Sequence, residues 1–490
     1  MFYTCFFVVQ KFDKNITNKK HDDHGRNGIT NLSPPFIYID TQKTLHRKLK
    51  HRRCRIMVGN DRILLSNCRI HNDKGVLQPA FVVIDSHSGK IQTISTDKSV
   101  LCSSIADNGL SFDVVECEGN ILAPGFIDIQ INGAHGVDFS SPNLTKDDVK
   151  KVSRLLPQYG VTSFCPTIIS SSEDVYSRNI AIISGLCCRK EDEDHDNNGN
   201  DDDSTKRIKG ASILGLHLEG PFFASSKRGA HDEAFILEEV SMSLISSTYS
   251  SQDLHGDHIK IITMAPELSG ALTTIQSLSS DVIISMGHTN ATYDDGKDAI
   301  KAGATLITHL FNAMKPFHHR DPGLFGLISS SDKNEDGNNS GSPYFSIIVD
   351  GQHSHPESVK MAYSLSPSKL ILITDAMSAM GLGTGTHSLG SMTVSVDRDK
   401  ATLLNTDTLA GSVLSMDACV RNLISFTGCR MNEAIAAATI NPAKLLRLEH
   451  NIGSLRVGLN ADLILLNDEL NVIKTWIGGR LLYDNSLNFT

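Results

Sequence analysis

The chain has 490 residues, of which 40% are hydrophobic and 21% charged, and its formal net charge is −9. Eight of the negative charges, Glu191, Asp192, Glu193, Asp194, Asp196, Asp201, Asp202 and Asp203, crowd into one stretch, so the rest of the chain is nearly neutral. This balance offers no basic face for nucleic acid, and no run reaches the roughly 18–20 apolar residues of a membrane-spanning helix.

Residues 1–58 are rich in Lys, His, Asn and Asp, contain Pro34-Pro35 and end in a basic run (Arg47, Lys48, Lys50, Arg52, Arg53, Arg55). They read as a disordered extension. Phe2 to Val9 is apolar but short, without a basic region before it or a small-residue cleavage site after it, so it reads as a mimic of a signal peptide. Residues 59–120 change character. Arg62–Leu65, Phe81–Ile84 and Lys90–Ile94 are strand-like runs separated by turn residues. Residues 449–490 match them in style through Ala461–Leu466, Val472–Ile477 and Arg480–Tyr483. One small β-sandwich built from both ends of the chain is expected.

Between them, residues 121–448 hold eight strand candidates: 121–131, 161–168, 212–219, 259–265, 281–287, 304–309, 344–350 and 369–375. Thr145-Lys146-Asp147-Asp148 is a helix-start signal, followed by Val149, Val152, Leu155, Leu156 and Tyr159 at helical spacing. Residues 294–302 and 356–363 also read as helices. Eight strands with helical crossovers predict an α/β fold, a (β/α)8 TIM barrel. Polar segments at 189–208 and 331–343 interrupt it as solvated insertions. The ten cysteines include no Cys-x-x-Cys pair, which fits free thiols in a reducing, cytoplasmic setting.

Four chemically loaded residues close four of these apolar runs: Glu219, His288, His309 and Asp375. A barrel builds its active site from strand ends on one face. One carboxylate and two imidazoles, with a water, complete a tetrahedral zinc site that keeps one exchangeable position. Asp375 remains to move protons, although an Asp there also suits a helix N-cap. His231 and His353 lie on loops after strands and can hydrogen-bond substrate oxygens. Asn312-Ala313-Met314 offers amide and backbone groups. Arg320 offers a fork for phosphate or carboxylate, or a surface ion pair.

Pro124-Gly125-Phe126-Ile127-Asp128-Ile129-Gln130-Ile131-Asn132-Gly133 resembles the first-strand signature of the amidohydrolase superfamily. Most members carry His-x-His on that strand, where this chain has Gln130 and Asn132. The change is similar to one family, the N-acetylglucosamine-6-phosphate deacetylases. So are Gly215-Leu216-His217-Leu218-Glu219-Gly220-Pro221-Phe222, Gly287-His288-Thr289-Asn290-Ala291, Thr308-His309-Leu310-Phe311-Asn312-Ala313-Met314, Asp350-Gly351-Gln352-His353, Thr374-Asp375-Ala376-Met377 and Leu409-Ala410-Gly411-Ser412. The resemblance runs from about residue 62 to 485 and leaves out the N-terminal extension and the acidic insert.

The resemblance implies metal-dependent hydrolysis of the acetamide of N-acetyl-D-glucosamine 6-phosphate. It implies one divalent ion on Glu219, His288 and His309, with zinc first and iron, cobalt or manganese also suited. It makes Asp375 the catalytic acid and base, and His231 the group that polarises the acetyl carbonyl. Ala230, Asn312, Ala313, Arg320, His353 and Leu409, Ala410 and Gly411 are implied to hold the sugar phosphate, and Arg320 to do so across a homodimer interface. His135 departs from the aromatic usual in the animal enzymes; it is either a neutral change or an added pocket group. Three other readings stay open, one of them a regulatory or binding module that uses the extra segments. A deacylase of another amidohydrolase type is disfavoured by the missing His-x-His. A non-catalytic scaffold is disfavoured by the four residues retained.

Overall fold

Eight parallel strands form the centre of the computed structural model, which describes residues 61–72, 74–97, 112–187, 209–249, 258–329 and 342–489. The 1–58 extension, the 189–208 insert and residues 331–341 lie outside the described residues. In chain order the barrel strands are Phe126–Ile131, Val161–Ile169, Ser212–Ile213 with Leu216–Glu219, Ile259–Met264, Ile283–Met286, Leu306–Ile307, Tyr344–Ile347 and Leu370–Leu372. Each pairs in parallel with its neighbour. Beyond the eighth strand the Asp375 backbone N–H donates to the Gln130 carbonyl at 2.9 Å, and Ile131 bridges Ala376. The ring closes there, at the C-terminal end of the eighth strand.

Every residue of the first two strands is buried, as expected where both faces of a parallel sheet are covered. Helices Lys146–Leu155, Glu173–Ser184, Met242–Tyr249, Ala271–Leu278, Tyr293–Ala302 and Pro356–Leu365 supply most of the outer cover. The sixth crossover is instead a 3₁₀ segment, Gly323–Ser329. The capping signal at Thr145 closes as a reciprocal box with Asp148. Thr145→Ala is expected to cost about 1 kcal/mol, seen as a lower denaturant midpoint with unchanged activity per folded molecule.

The run 121–131 is two strands rather than one. Ile121–Pro124 pairs antiparallel with Leu463–Leu466, and the barrel begins at Phe126. Gly125 is the break, because a Cβ there would sit 2.2 Å from the Thr162 side chain. The third barrel strand also breaks, at Gly215. Its φ is +132°, and a Cβ would lie 2.6 Å from Lys260.

The small β domain has eight strands. Arg480–Asp484, Val472–Ile477, Leu463–Leu466, Ile121–Pro124, Arg62–His71, Leu77–Asp85 and Lys90–Ser95 follow one another in space, and Asp113–Glu116 lies along Arg62–His71. The layers expected of a sandwich are therefore one continuous sheet. It curls until Leu65, Val82 and Ile91 share a core with Leu463 and Trp476. One element went unforeseen: a three-stranded antiparallel sheet, Gly385–Leu389, Met392–Asp397 and Lys400–Leu403, inserted after the eighth barrel strand.

Candidate active site

Glu219 ends the third barrel strand in extended conformation, whereas His288, His309 and Asp375 lie beyond the last paired residues of theirs. Those three have φ of 51°, 30° and 46°. A left-handed backbone costs a non-glycine residue about 1–3 kcal/mol and persists only where the surroundings over-determine it. Here the His309 N–H donates to Ser346 Oγ at 2.8 Å, and the Ala224 N–H donates to the His288 carbonyl at 3.0 Å.

The result is convergence. His288 Nε2 and His309 Nε2 lie 3.3 and 3.0 Å from Glu219 Oε1 and 3.1 Å from each other. All three residues are buried, and their ligand atoms fall within 4.8 Å of one another. His288 Nδ1 donates to the Lys227 carbonyl at 2.9 Å, which leaves the Nε2 lone pair for the centre. Two inward imidazole nitrogens and a carboxylate oxygen are a donor set that fits a divalent cation. Burial alone would raise the Glu219 carboxyl, but the two imidazoles outweigh it and hold the group well below the usual carboxylate range.

Asp375 is also buried, and burial, with the Glu219 charge adding to it, pushes its carboxyl up to about 6. Its Oδ1 accepts from Asn132 Nδ2 at 2.7 Å and from Gln130 Nε2 at 3.3 Å, and Gln130 Nε2 also donates to Glu219 Oε1 at 2.9 Å. The two amides on the first strand thus aim both carboxylates. Sequence reasoning saw in Gln130 and Asn132 only the loss of His-x-His. Their i, i+2 spacing puts both side chains on one strand face, and that was the available signal. Below them Thr374 Oγ1 donates to buried Asp128 at 2.5 Å and ties the eighth strand to the first.

His231 packs edge-on against His288, with ring centroids 4.6 Å apart, and Phe223 stacks on His288 at 4.2 Å. The Ser170 backbone N–H donates to His231 Nδ1 at 3.2 Å. Burial holds this imidazole neutral, down at about 3. Nδ1 is therefore the acceptor and Nε2 carries the hydrogen. His353 Nδ1 donates to Asp350 at 2.6 Å, which leaves Nε2 as the ring nitrogen outside that bond. Asp350 was not singled out, although its place three residues before His353 is a local signal.

Glu219, His231, His288, His309, His353 and Asp375 line one cleft together with Ala230, Asn312, Ala313, Leu409 and Gly411. Two predicted residues lie outside it. Ala410 is fully buried behind the wall with Met377 and Val394. Arg320 is exposed on the segment after the sixth strand, and the chain's own fold does not bring it to the cleft. His135 does not line the cleft either. Its ring stacks on Tyr159, with centroids 5.9 Å apart, and Gln158 Nε2 lies 3.1 Å from it.

Residues 121–482 match the amidohydrolase family. The chain is 42% identical to human N-acetylglucosamine-6-phosphate deacetylase over 374 residues, which cover 75% of this chain and 85% of that protein. The solved structure of N-acetylglucosamine-6-phosphate deacetylase from Pasteurella multocida superposes with a TM-score of 0.70 at 28% identity, covering 86% of this chain and 99% of that one. A Mycobacterium smegmatis N-acetyl-D-glucosamine-6-phosphate deacetylase variant, solved in complex with N-acetyl-D-glucosamine-6-phosphate, gives 0.70 at 26% identity with the same coverage. A closed parallel barrel, a carboxylate and two imidazoles at its strand ends, and this match along most of the length agree: the chain belongs to the amidohydrolase family.

Proposed function

We infer that this chain hydrolyses the acetamide of N-acetyl-D-glucosamine 6-phosphate to D-glucosamine 6-phosphate and acetate, a step of amino-sugar catabolism. The observation that carries the reading is the meeting of Glu219, His288 and His309 with Asp375 and His231 in one cleft, on a chain whose relatives bear that enzyme's name. A divalent ion held by Glu219, His288 and His309 supplies positive charge that acidifies water and polarises a carbonyl. Zinc suits this set, as do iron, cobalt and manganese. One ion per chain is the expected count, because Gln130 and Asn132 offer amides where a second site needs anionic or imidazole ligands.

The chain's own groups do the rest. Asp375, ionised at neutral pH, takes the proton of the attacking water. His231 Nε2–H donates to the acetyl oxygen as negative charge develops on it. Asp375 then returns the proton to the departing amine. His353, Asn312, Ala313, Ala230 and the Leu409–Gly411 segment hold the sugar phosphate, so binding energy is applied away from the reacting carbon. Proton NMR of an incubation with the metal-loaded protein tests the reading. Acetate and glucosamine 6-phosphate should appear in equal amounts, and unchanged substrate would refute it.

Arg320 reaches substrate in this account from a neighbouring copy in a homodimer. Its exposure, and the absence of any carboxylate partner among the described residues, support a role outside its own barrel. Arg320→Ala should raise KM for the phosphorylated sugar about 10- to 100-fold, since hydrogen bonds to charged groups are worth about 1.5–3 kcal/mol, and leave metal content unchanged. In dimers mixing Arg320→Ala with Asp375→Asn chains, one site carries both defects and the other neither. Activity should return on mixing; none from proven hybrids would place Arg320 in its own site. A cytoplasmic setting fits the free thiols of Cys68, Cys117, Cys165, Cys187, Cys419 and Cys429. Among the described residues no helix is long and apolar enough to cross a membrane.

A further inference from the structure

The inserted three-stranded sheet reaches the cleft with one side chain, Leu389, and its position is fixed by hydrogen bonds from three other parts of the barrel mouth. Leu389 ends Gly385–Leu389 and lines the cleft. At the turn that follows, the Gly390 N–H donates to Asp138 Oδ2 at 2.6 Å, from the loop after the first barrel strand. Ser391 Oγ donates to Asp232 Oδ2 at 2.7 Å, beside His231. Ser378 Oγ, after the eighth strand, donates to the Ser388 carbonyl at 2.6 Å. Asp138 is itself buried and also accepts from the Ser140 N–H at 2.9 Å. An exposed hairpin would let Leu389 swing away, whereas this one is tacked down on three sides.

Leu389 meets Ile169, the last residue of the second barrel strand. Both are 3% exposed and belong to one apolar cluster. A Cβ on Gly390 would lie 3.0 Å from Ile169 Cδ1, so the turn rests on that side chain. Ile169 is the register partner of Glu219, and the next residue, Ser170, orients His231. The apolar pair therefore borders Glu219, which holds the ion, and His231, which faces the acetyl oxygen in the proposed reaction.

The direction of the substrate follows from the same cleft. Of the groups assigned to the sugar phosphate, His353 follows the seventh strand and Asn312 and Ala313 follow the sixth, while Ala230 and Leu409–Gly411 border the side of Leu389, and we set the sugar ring on the side of His353 and Asn312. The methyl of an acetamide lies on the far side of the carbonyl carbon from the nitrogen that bears the sugar. It then points across the cleft towards the second strand, at Ile169 and Leu389. We propose that Leu389, held against Ile169 by the pinned hairpin, is the stop that limits the acyl group to acetyl. Leu389 is thus a specificity-determining residue. This inference rests on the deacetylase reading above.

The test compares kcat/KM for N-acetyl-, N-propionyl- and N-butyryl-glucosamine 6-phosphate in the metal-loaded wild type, Leu389→Ala, Leu389→Val and Ile169→Val. A methylene in an apolar pocket changes such ratios about 10- to 200-fold. The wild type should favour acetyl over propionyl by at least about tenfold, and Leu389→Ala should erase or invert that preference. The gentler Leu389→Val and Ile169→Val changes keep the test open if Leu389→Ala does not fold, and each should shift the ratio in the same direction. Ile348→Val, on the opposite side, should leave it unmoved. A propionyl-to-acetyl ratio indifferent to Leu389 and Ile169, or one that follows Ile348 instead, overturns the proposal while leaving the reaction intact. Failure of the wild type to release acetate overturns the reaction and the stop together.

Discussion

Asp375→Asn is expected to lower kcat by about a hundred- to ten-thousand-fold, the range for losing a positioned acid or base, while metal content and substrate affinity stay near wild type. The change is nearly isosteric. It preserves an oxygen for the Asn132 and Gln130 amides that now meet Asp375 Oδ1, but it removes the carboxylate proposed to accept a proton from water and return it to the amine. A kcat that falls alone marks an interaction made in the transition state. The pH profile of the wild type should show the same group. Burial and the Glu219 charge push Asp375 up to about 6 without a cation nearby, and a bound cation moves it lower. Since the base acts ionised, the rate should fall on the acid side, about tenfold per pH unit, below a midpoint no higher than about 6. Asp375→Asn should have lost that limb. Near-normal turnover would remove Asp375 from the chemistry.

Glu219→Gln is expected to abolish both metal retention and activity. Among the described residues, Glu219 Oε1 is the one carboxylate oxygen that meets both His288 Nε2 and His309 Nε2, and all three residues are buried. An amide in its place presents a neutral oxygen or an N–H to the cation. Losing an outer partner of a metal ligand costs about 10- to 100-fold in affinity, and losing the ligand itself should exceed the upper figure. Elemental analysis after gel filtration should give about one metal per wild-type chain and far less for the variant. Two tightly held ions in the wild type would contradict the single-site account, as would a variant that keeps its ion.

The barrel and the residues that converge at its mouth were legible because they rest on local patterns. Each apolar run ends in its loaded residue within a few positions, and a parallel strand buried on both faces reads as continuous apolar sequence. Non-local features were not legible. The break at Gly125 depends on Thr162, thirty-seven residues away, whose side chain leaves no room for a Cβ. The duty of Gln130 and Asn132 depends on carboxylates brought to them from the third and eighth strands. Leu389 is an ordinary leucine in sequence and becomes part of the cleft only because Asp138, Asp232 and Ser378 anchor its turn. The left-handed backbones of His288, His309 and Asp375 fall on residue types enriched in that conformation, but it is still uncommon for them, so the sequence does not mark these positions.

The most direct test of the central claim is acetate release by the metal-loaded protein from N-acetyl-D-glucosamine 6-phosphate and from unphosphorylated N-acetyl-D-glucosamine, compared as kcat/KM. The account predicts turnover of the phosphorylated sugar with a preference of at least about a hundredfold, because charge-assisted contacts to phosphate bind substrate and transition state away from the reacting carbon. No acetate from the phosphorylated sugar, or equal rates on the two, would contradict it.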